Sequence, residues 1–350
     1  MSSSPVLLFS LFVAGQPSPG SSLKTEMPPT GESVLLAPTY EKGGVDYLEF
    51  VQQIEQVGKG GAFGPAGRGT RSSRTKGAYQ KVATTSEQGT RLVFTFDRVA
   101  MQAESPGGNL AFDSDIDDRT DKAHPVAAVL GPMIGMSVTF ELDIHGHVKS
   151  SKGMEAIYDK VQKEAVGSPI LNQLQDDLSS EAAQLTWADG RFVLFANKTV
   201  KVGDTWSGTV RTRSAYLGDL VREYRCKLDR FDTDNGRRVA VVTYSADIRR
   251  PPDAVPGMFA VSAIKSGRLE GTANFDTERR EFTYQSEAIN LVLEAAVSGP
   301  EPQKKTPIEI QSTTRQILRL MTELERSQQK LANFTRAKRG APEPAKPPDK

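Results

Sequence analysis

The sequence predicts an α+β protein, mainly antiparallel β, built of two related β-meander halves joined by central helices. Three signatures that recur in the same order in each half carry that prediction. Lys42-Gly43-Gly44-Val45-Asp46-Tyr47 returns as Lys201-Val202-Gly203-Asp204-Thr205-Trp206, a turn glycine followed three residues later by a large aromatic. Gly89-Thr90-Arg91-Leu92-Val93-Phe94 returns as Gly236-Arg237-Arg238-Val239-Ala240-Val241, a turn feeding a β-rich run. Leu142-Asp143-Ile144-His145-Gly146-His147-Val148 returns, one residue longer, as Phe275-Asp276-Thr277-Glu278-Arg279-Arg280-Glu281-Phe282. The order is kept while the spacing shrinks, which is the mark of a diverged duplication of one sheet unit.

Residues 1–15 read as a signal peptide: Val6 to Gly15 is apolar, and Gln16-Pro17-Ser18-Pro19-Gly20 follows at once. This places the protein in an exported, periplasmic or extracellular setting. Pro, Ser and Gly make 16–39 a linker. The first β-rich half is 40–153. It opens with a strand over Val45 to Val57, followed by a glycine-dense connection through Gly69 whose Arg68, Arg71, Arg74 and Lys76 read as a solvated basic loop. Gly77 to Ser86 and Arg91 to Glu104 read as an antiparallel pair, since Leu92, Phe94 and Phe96 sit at period two while Arg91, Thr95 and Asp97 face the other way. Met136 to Ile144 and Val148 to Ser150 make a second hairpin.

Connecting helices span 154–187. In their second part Ile170, Leu171, Leu174, Leu178, Ala182 and Leu185 recur at helical spacing after Ser168-Pro169, an N-cap followed by a first-turn proline. The second β-rich half, 188–317, carries strands near Phe192 to Phe195, Thr205 to Ala215, Val221 to Arg230, Arg237 to Ile248, Gly267 to Phe275, Glu281 to Val297 and Ile308 to Ile317, with Asp234-Asn235-Gly236 as a tight turn. A C-terminal helix over 318–336 follows from the spacing of Leu318, Met321, Leu324 and Leu331, and 337–350 reads as a disordered tail.

A balance of 44 basic and 43 acidic residues, net charge +1, excludes a nucleic-acid protein that relies on a strong overall positive field. No apolar run approaches the roughly 18 residues of a spanning helix, so no transmembrane segment is expected. Cys226 is the only cysteine, which rules out an intrachain disulfide; its alternation with Tyr224 and Leu228 makes it a small buried apolar residue.

The dense carboxylate cluster at Asp113, Asp115, Asp117, Asp118 and Asp121 is a candidate for hard-oxygen cation binding, against the plainer reading of a solvated acidic loop. The His145-x-His147 turn is a weaker transition-metal candidate, with Asp143 as a third ligand. No Gly-x-Ser-x-Gly elbow, His-Glu-x-x-His helix or phosphate loop is present, so no catalytic residue and no cofactor is assigned. Trp187, Trp206, Tyr47, Tyr216, Tyr224 and Tyr244 read as core or rim aromatics, and Arg222-Glu223-Tyr224-Arg225 as a wet strand face.

The apolar leader, the Lys-x-Gly-x-x-aromatic strand entry, Val200-Lys201-Val202-Gly203-Asp204-Thr205-Trp206 and the late Gly271-x-x-x-Phe275-Asp276 resemble those of exported bacterial β-rich proteins with a domain of unknown function, over roughly residues 40–325. That resemblance implies the fold and export but supplies no catalytic residue. The expectation is a non-enzymatic envelope or periplasmic module with a hydrophobic or lipid-like small molecule, or an envelope protein, as its partner. The alternatives are a scaffold that uses strand edges or the C-terminal helix, and a hydrolase that uses the carboxylates of 113–121.

Overall fold

The computed structural model describes residues 31–40, 45–59, 68–87, 89–105, 108–144, 146, 148–165, 193–214, 217–255, 260–298 and 305–339. In chain order its elements are β1 (Ser33–Leu35), β2 (Val45–Lys59), β3 (Arg68–Ser86), β4 (Gly89–Ser105), β5 (Gly108–Asp113), α1 (Ala127–Leu130), β6 (Ser137–Leu142), β7 (Val148–Lys152), α2 (Met154–Glu164), β8 (Thr199–Lys201), β9 (Thr205–Ser214), β10 (Gly218–Asp234), β11 (Arg237–Arg249), β12 (Ala260–Asp276), β13 (Glu281–Ser298), β14 (Lys305–Met321) and α3 (Glu323–Arg339). One antiparallel sheet takes twelve of the strands, in the order β7-β6-β4-β3-β2-β14-β13-β12-β11-β10-β9 with β5 added alongside β4. The protein is thus mainly antiparallel β, as its period-two runs dictate.

Within that sheet the neighbour order β2-β3-β4-β6-β7 matches β9-β10-β11-β12-β13, strand for strand, in the positions of the three repeated signatures. Both units turn tightly at the same point: Ser86 pairs Gly89, and Asp234 pairs Arg237. In the second turn Asn235 and Gly236 both adopt left-handed backbone (φ +49° and +78°), which the mirror-image hairpin turn demands and Asn-Gly supplies. The matched glycines are offset by one place, since Gly89 is the first strand residue and Gly236 the last turn residue.

Each half buries its own apolar cluster. In the first, Tyr79, Phe94, Phe96 and Phe140 on the sheet meet Leu130 and Met133 and the α2 residues Met154, Ile157 and Val161. In the second, Tyr224, Leu228, Val242, Leu269, Phe275 and Phe282 are covered by Leu36, Leu194, Phe195 and Val200. The opposite sheet face is charged, with pairs such as Arg91–Glu141, Arg225–Asp247 and Arg249–Glu223. The halves join where Leu320 and Met321 of β14 pair with Leu48 and Tyr47 of β2. Lys81, buried beside them, is bonded to Glu281 from the other half and lies 3.4 Å from Asp46.

Several expectations need correction. Ser33–Leu35, within the expected linker, is β1; it pairs with β8, and Leu36 is fully buried. Phe192 to Phe195 was expected as a strand, yet residues 193–198 form turns and bends that lay Leu194 and Phe195 on the second core. Arg68, Arg71, Arg74 and Lys76 lie in β3, because the β2–β3 ladder runs out to Lys59 and Arg68. Leu318 and Met321 belong to β14, and the helix starts at Glu323, where Glu325 N–H donates to Thr322 Oγ1 (3.2 Å) and Thr322 N–H donates to Glu325 Oε2 (2.7 Å), a capping box. The leader, the predicted helix from Pro169 to Trp187 and the tail lie outside the described residues.

Candidate functional site

The ladders of the second half bring Trp206, Cys226, Tyr244, Gly271, Glu287 and Gln316 side by side across six strands on the core face. Directly paired residues of this kind hold their Cβ atoms about 4.5–5.5 Å apart. The flanking rows, Ala246-Leu269-Ile289 on one side and Leu228-Val242-Ala273 on the other, are apolar and buried. A polar strip therefore crosses a hydrophobic floor.

Gly271 sets the geometry of that strip. A Cβ at 271 would overlap the ring and hydroxyl of Tyr244, so only glycine lets Tyr244 lie across β12. Its hydroxyl donates to Glu287 Oε2 at 3.1 Å and accepts from Gln285 Nε2 at 3.1 Å. Burial pushes the Glu287 carboxyl above its ordinary range, and the Arg222 charge with the Tyr244 and Gln285 hydrogen bonds opposes that push. Burial likewise holds the proton on Tyr224, raised to about 12, and on Cys226, raised to about 12.

Gln316 is fully buried, and neither its Oε1 nor its Nε2 has a hydrogen-bond partner; Gln285 Oε1 and Arg222 Nε are buried and unpartnered as well, as are Thr212 Oγ1 and Arg280 Nε away from the strip. Each such group costs folding about 1–3 kcal/mol. Buried polar side chains are nearly always satisfied, so a cluster that is not demands a cause.

On the other face of the same strands a trough of about 1070 Å³ runs from β9 to β14. Period two turns the hydroxyls of Thr205, Ser207, Thr243, Ser245, Thr272 and Ser286 towards it, with Arg225, Lys227 and Arg315 also among its lining.

The residues singled out from the sequence fare differently. Asp113 accepts a forked pair from Arg98 (3.0 and 2.6 Å), Asp117 accepts from Asp113 N–H (2.6 Å), and Asp115, whose side chain is fully buried, accepts from Arg326 (2.8 and 3.0 Å) and Asn333 (3.0 Å). Burial would raise the Asp115 carboxyl, but Arg326, Asn333 and Arg98 bring it below its usual value. Asp113 and Asp115 thus hold guanidinium groups, and Asp115 docks α3, while the exposed Asp117, Asp118 and Asp121 accept from backbone N–H groups of their own loop. Among the described residues no three His, Cys, Asp or Glu side chains are grouped to hold a metal. His145 and His147 lie outside the described residues; His124 accepts from Ala127 N–H (3.2 Å) at the entry to α1.

Arg222, Glu287 and Gln316 were missed. Arg222 was expected on a wet strand face, yet it shares the parity of Tyr224, Cys226 and Leu228 and so points inward while Glu223 and Arg225 point out. That parity was the available signal.

Residues 87–279, more than half of the chain, match the model of a family of unknown function, DUF6263. The chain belongs to the DUF6263 family. The matched segment holds Arg222, Tyr244 and Gly271 but ends before Glu287 and Gln316. No curated protein matches this DUF6263 chain. Solved structures similar to it include DynF of the dynemicin biosynthesis pathway of Micromonospora chersina (7% identity, 84% of this chain and 92% of that one, TM-score 0.22). Two others are a mutant porin of Rh. blastica (9% identity, 78% and 100% coverage, TM-score 0.18) and OccK9 (OpdG) of Pseudomonas aeruginosa (6% identity, 79% and 98% coverage, TM-score 0.17). Likeness at this level does not extend to function.

Proposed function

We propose that this DUF6263 protein is a non-enzymatic, exported binding module that takes an amphipathic, lipid-like ligand on the core face of its second half. The unpartnered amide of Gln316, set in a polar strip between apolar rows, carries the reading. A polar head suits the unpartnered groups of the strip, and an apolar chain would pack among Leu36, Leu194, Phe195 and Val200, which already cover the rows. Tyr224 and Cys226 hold their protons up to about 12, which favours a binding role over acid–base chemistry near neutral pH. The apolar leader Val6 to Gly15 supports export. The test is mass spectrometry of an organic extract of the natively purified protein. A stoichiometric amphiphile is expected; an empty extract, together with no uptake of added alkyl-chain probes, would overturn the reading.

A further inference from the structure

Resting on that reading, we infer that the ligand's head is an uncharged group presenting a hydrogen-bond donor and an acceptor on neighbouring atoms, of the primary carboxamide class. The open valences of the strip define it. Gln316 Oε1 and Gln285 Oε1 want donors, while Gln316 Nε2 and Arg222 Nε want acceptors. Gln316 stands opposite Glu287 in the β13–β14 ladder, and Glu287 is hydrogen-bonded to Tyr244 and Gln285, so the vacant groups of Gln316 and Gln285 flank one carboxyl, on which the Arg222 charge also acts. An amide ligand paired edge to edge with the Gln316 amide satisfies both of its atoms at once.

Charge decides against the other heads. An anionic head would set its oxygens against Gln316 Oε1, Gln285 Oε1 and the Glu287 carboxylate, while Arg222 is already coupled to Glu287 and Tyr224. A cationic head would be drawn to Glu287 but repelled by Arg222, and having no acceptor it would leave Gln316 Nε2 and Arg222 Nε open. A hydroxyl presents donor and acceptor on a single atom and spans the Gln316 amide poorly.

The experiment titrates the full chain, stripped of extractable lipid, with decanamide, decanoate, decylamine and decanol at pH 8. The wild type should prefer decanamide by about tenfold or more over decanoate and decylamine, the weight of one well-made buried hydrogen-bond pair. In Gln316→Met and Gln316→Leu that margin should fall below about threefold. Unfolding curves check that both variants fold. Equal binding of all four probes, a preference for decanoate, or a margin unmoved by both substitutions overturns the head-group assignment and leaves the binding reading standing. No binding of any probe removes the binding reading as well. A variant that gains stability with an unaltered preference shows that an ordered water alone serves Gln316, which also overturns the assignment.

Discussion

The Tyr244 hydroxyl reaches Glu287 by lying over Gly271, so a residue with no side chain places two polar groups that come from strands on either side of it. The arrangement is local in space and remote in sequence, and it exposes the strip to a single methyl group.

Gly271→Ala is therefore expected to displace the Tyr244 ring and destabilise the fold by about 1–3 kcal/mol, the usual cost of overpacking. Tyr244→Leu in the same chain should recover part of that loss. Denaturant unfolding of the two single variants and the double variant measures it; additive losses would show that the ring is not what the methyl strikes.

Arg222 and Glu287 are both buried and electrostatically coupled. Glu287→Gln removes a negative charge that acts on Arg222 and the carboxylate that accepts from Tyr244, and should cost about 1–3 kcal/mol, whereas Glu287→Gln with Arg222→Met should cost less. A thermodynamic cycle reads the coupling. A double variant as unstable as Glu287→Gln alone would mean that the two charges do not compensate each other.

Arg326 fastens α3 by hydrogen bonds to Asp97 and Asp115. Arg326→Ala should free the helix and leave Asp115 with less compensation, at a cost of about 3–5 kcal/mol by the same reasoning. Amide exchange across 323–339 should accelerate in the variant while exchange in β10 and β11 stays slow. Unchanged protection of the helix would show that Arg319, Gln329 and Glu49 hold it without Arg326.

Asp219 is buried. Desolvation alone would raise its carboxyl, but hydrogen bonds from Arg213, Arg211 and Val255 N–H bring it down to about 2. Its folded value lies below its unfolded one, so its contribution to stability is complete above the unfolded value of about 3.9 and is lost as the pH falls towards 2. Melting temperatures of the wild type and Asp219→Asn should differ at pH 5 and converge near pH 2. A constant gap over that range would remove the carboxylate as the cause.

Much of the strand pattern was legible. Leu92, Phe94 and Phe96 show β4 by their alternation, and Asn235-Gly236 shows its turn by backbone preference, because both signals act between adjacent residues. The expected strand stops four residues before the end of β14: the spacing of Leu318 and Met321 suits a helix, and only the pairing of Leu320 and Met321 with Leu48 and Tyr47 of β2 keeps this end extended. The Thr322-x-x-Glu325 box marked the true start of α3 and was available from the sequence.

By itself the sequence determined an antiparallel meander written twice, since turn chemistry and period two need nothing beyond neighbours along the chain. Tertiary structure decided which charges are buried and with whom: Asp115 with Arg326, Lys81 with Glu281. Those pairs are 211 and 200 residues apart, and the energy of each depends on a cross-strand register and a depth of burial that no local pattern encodes.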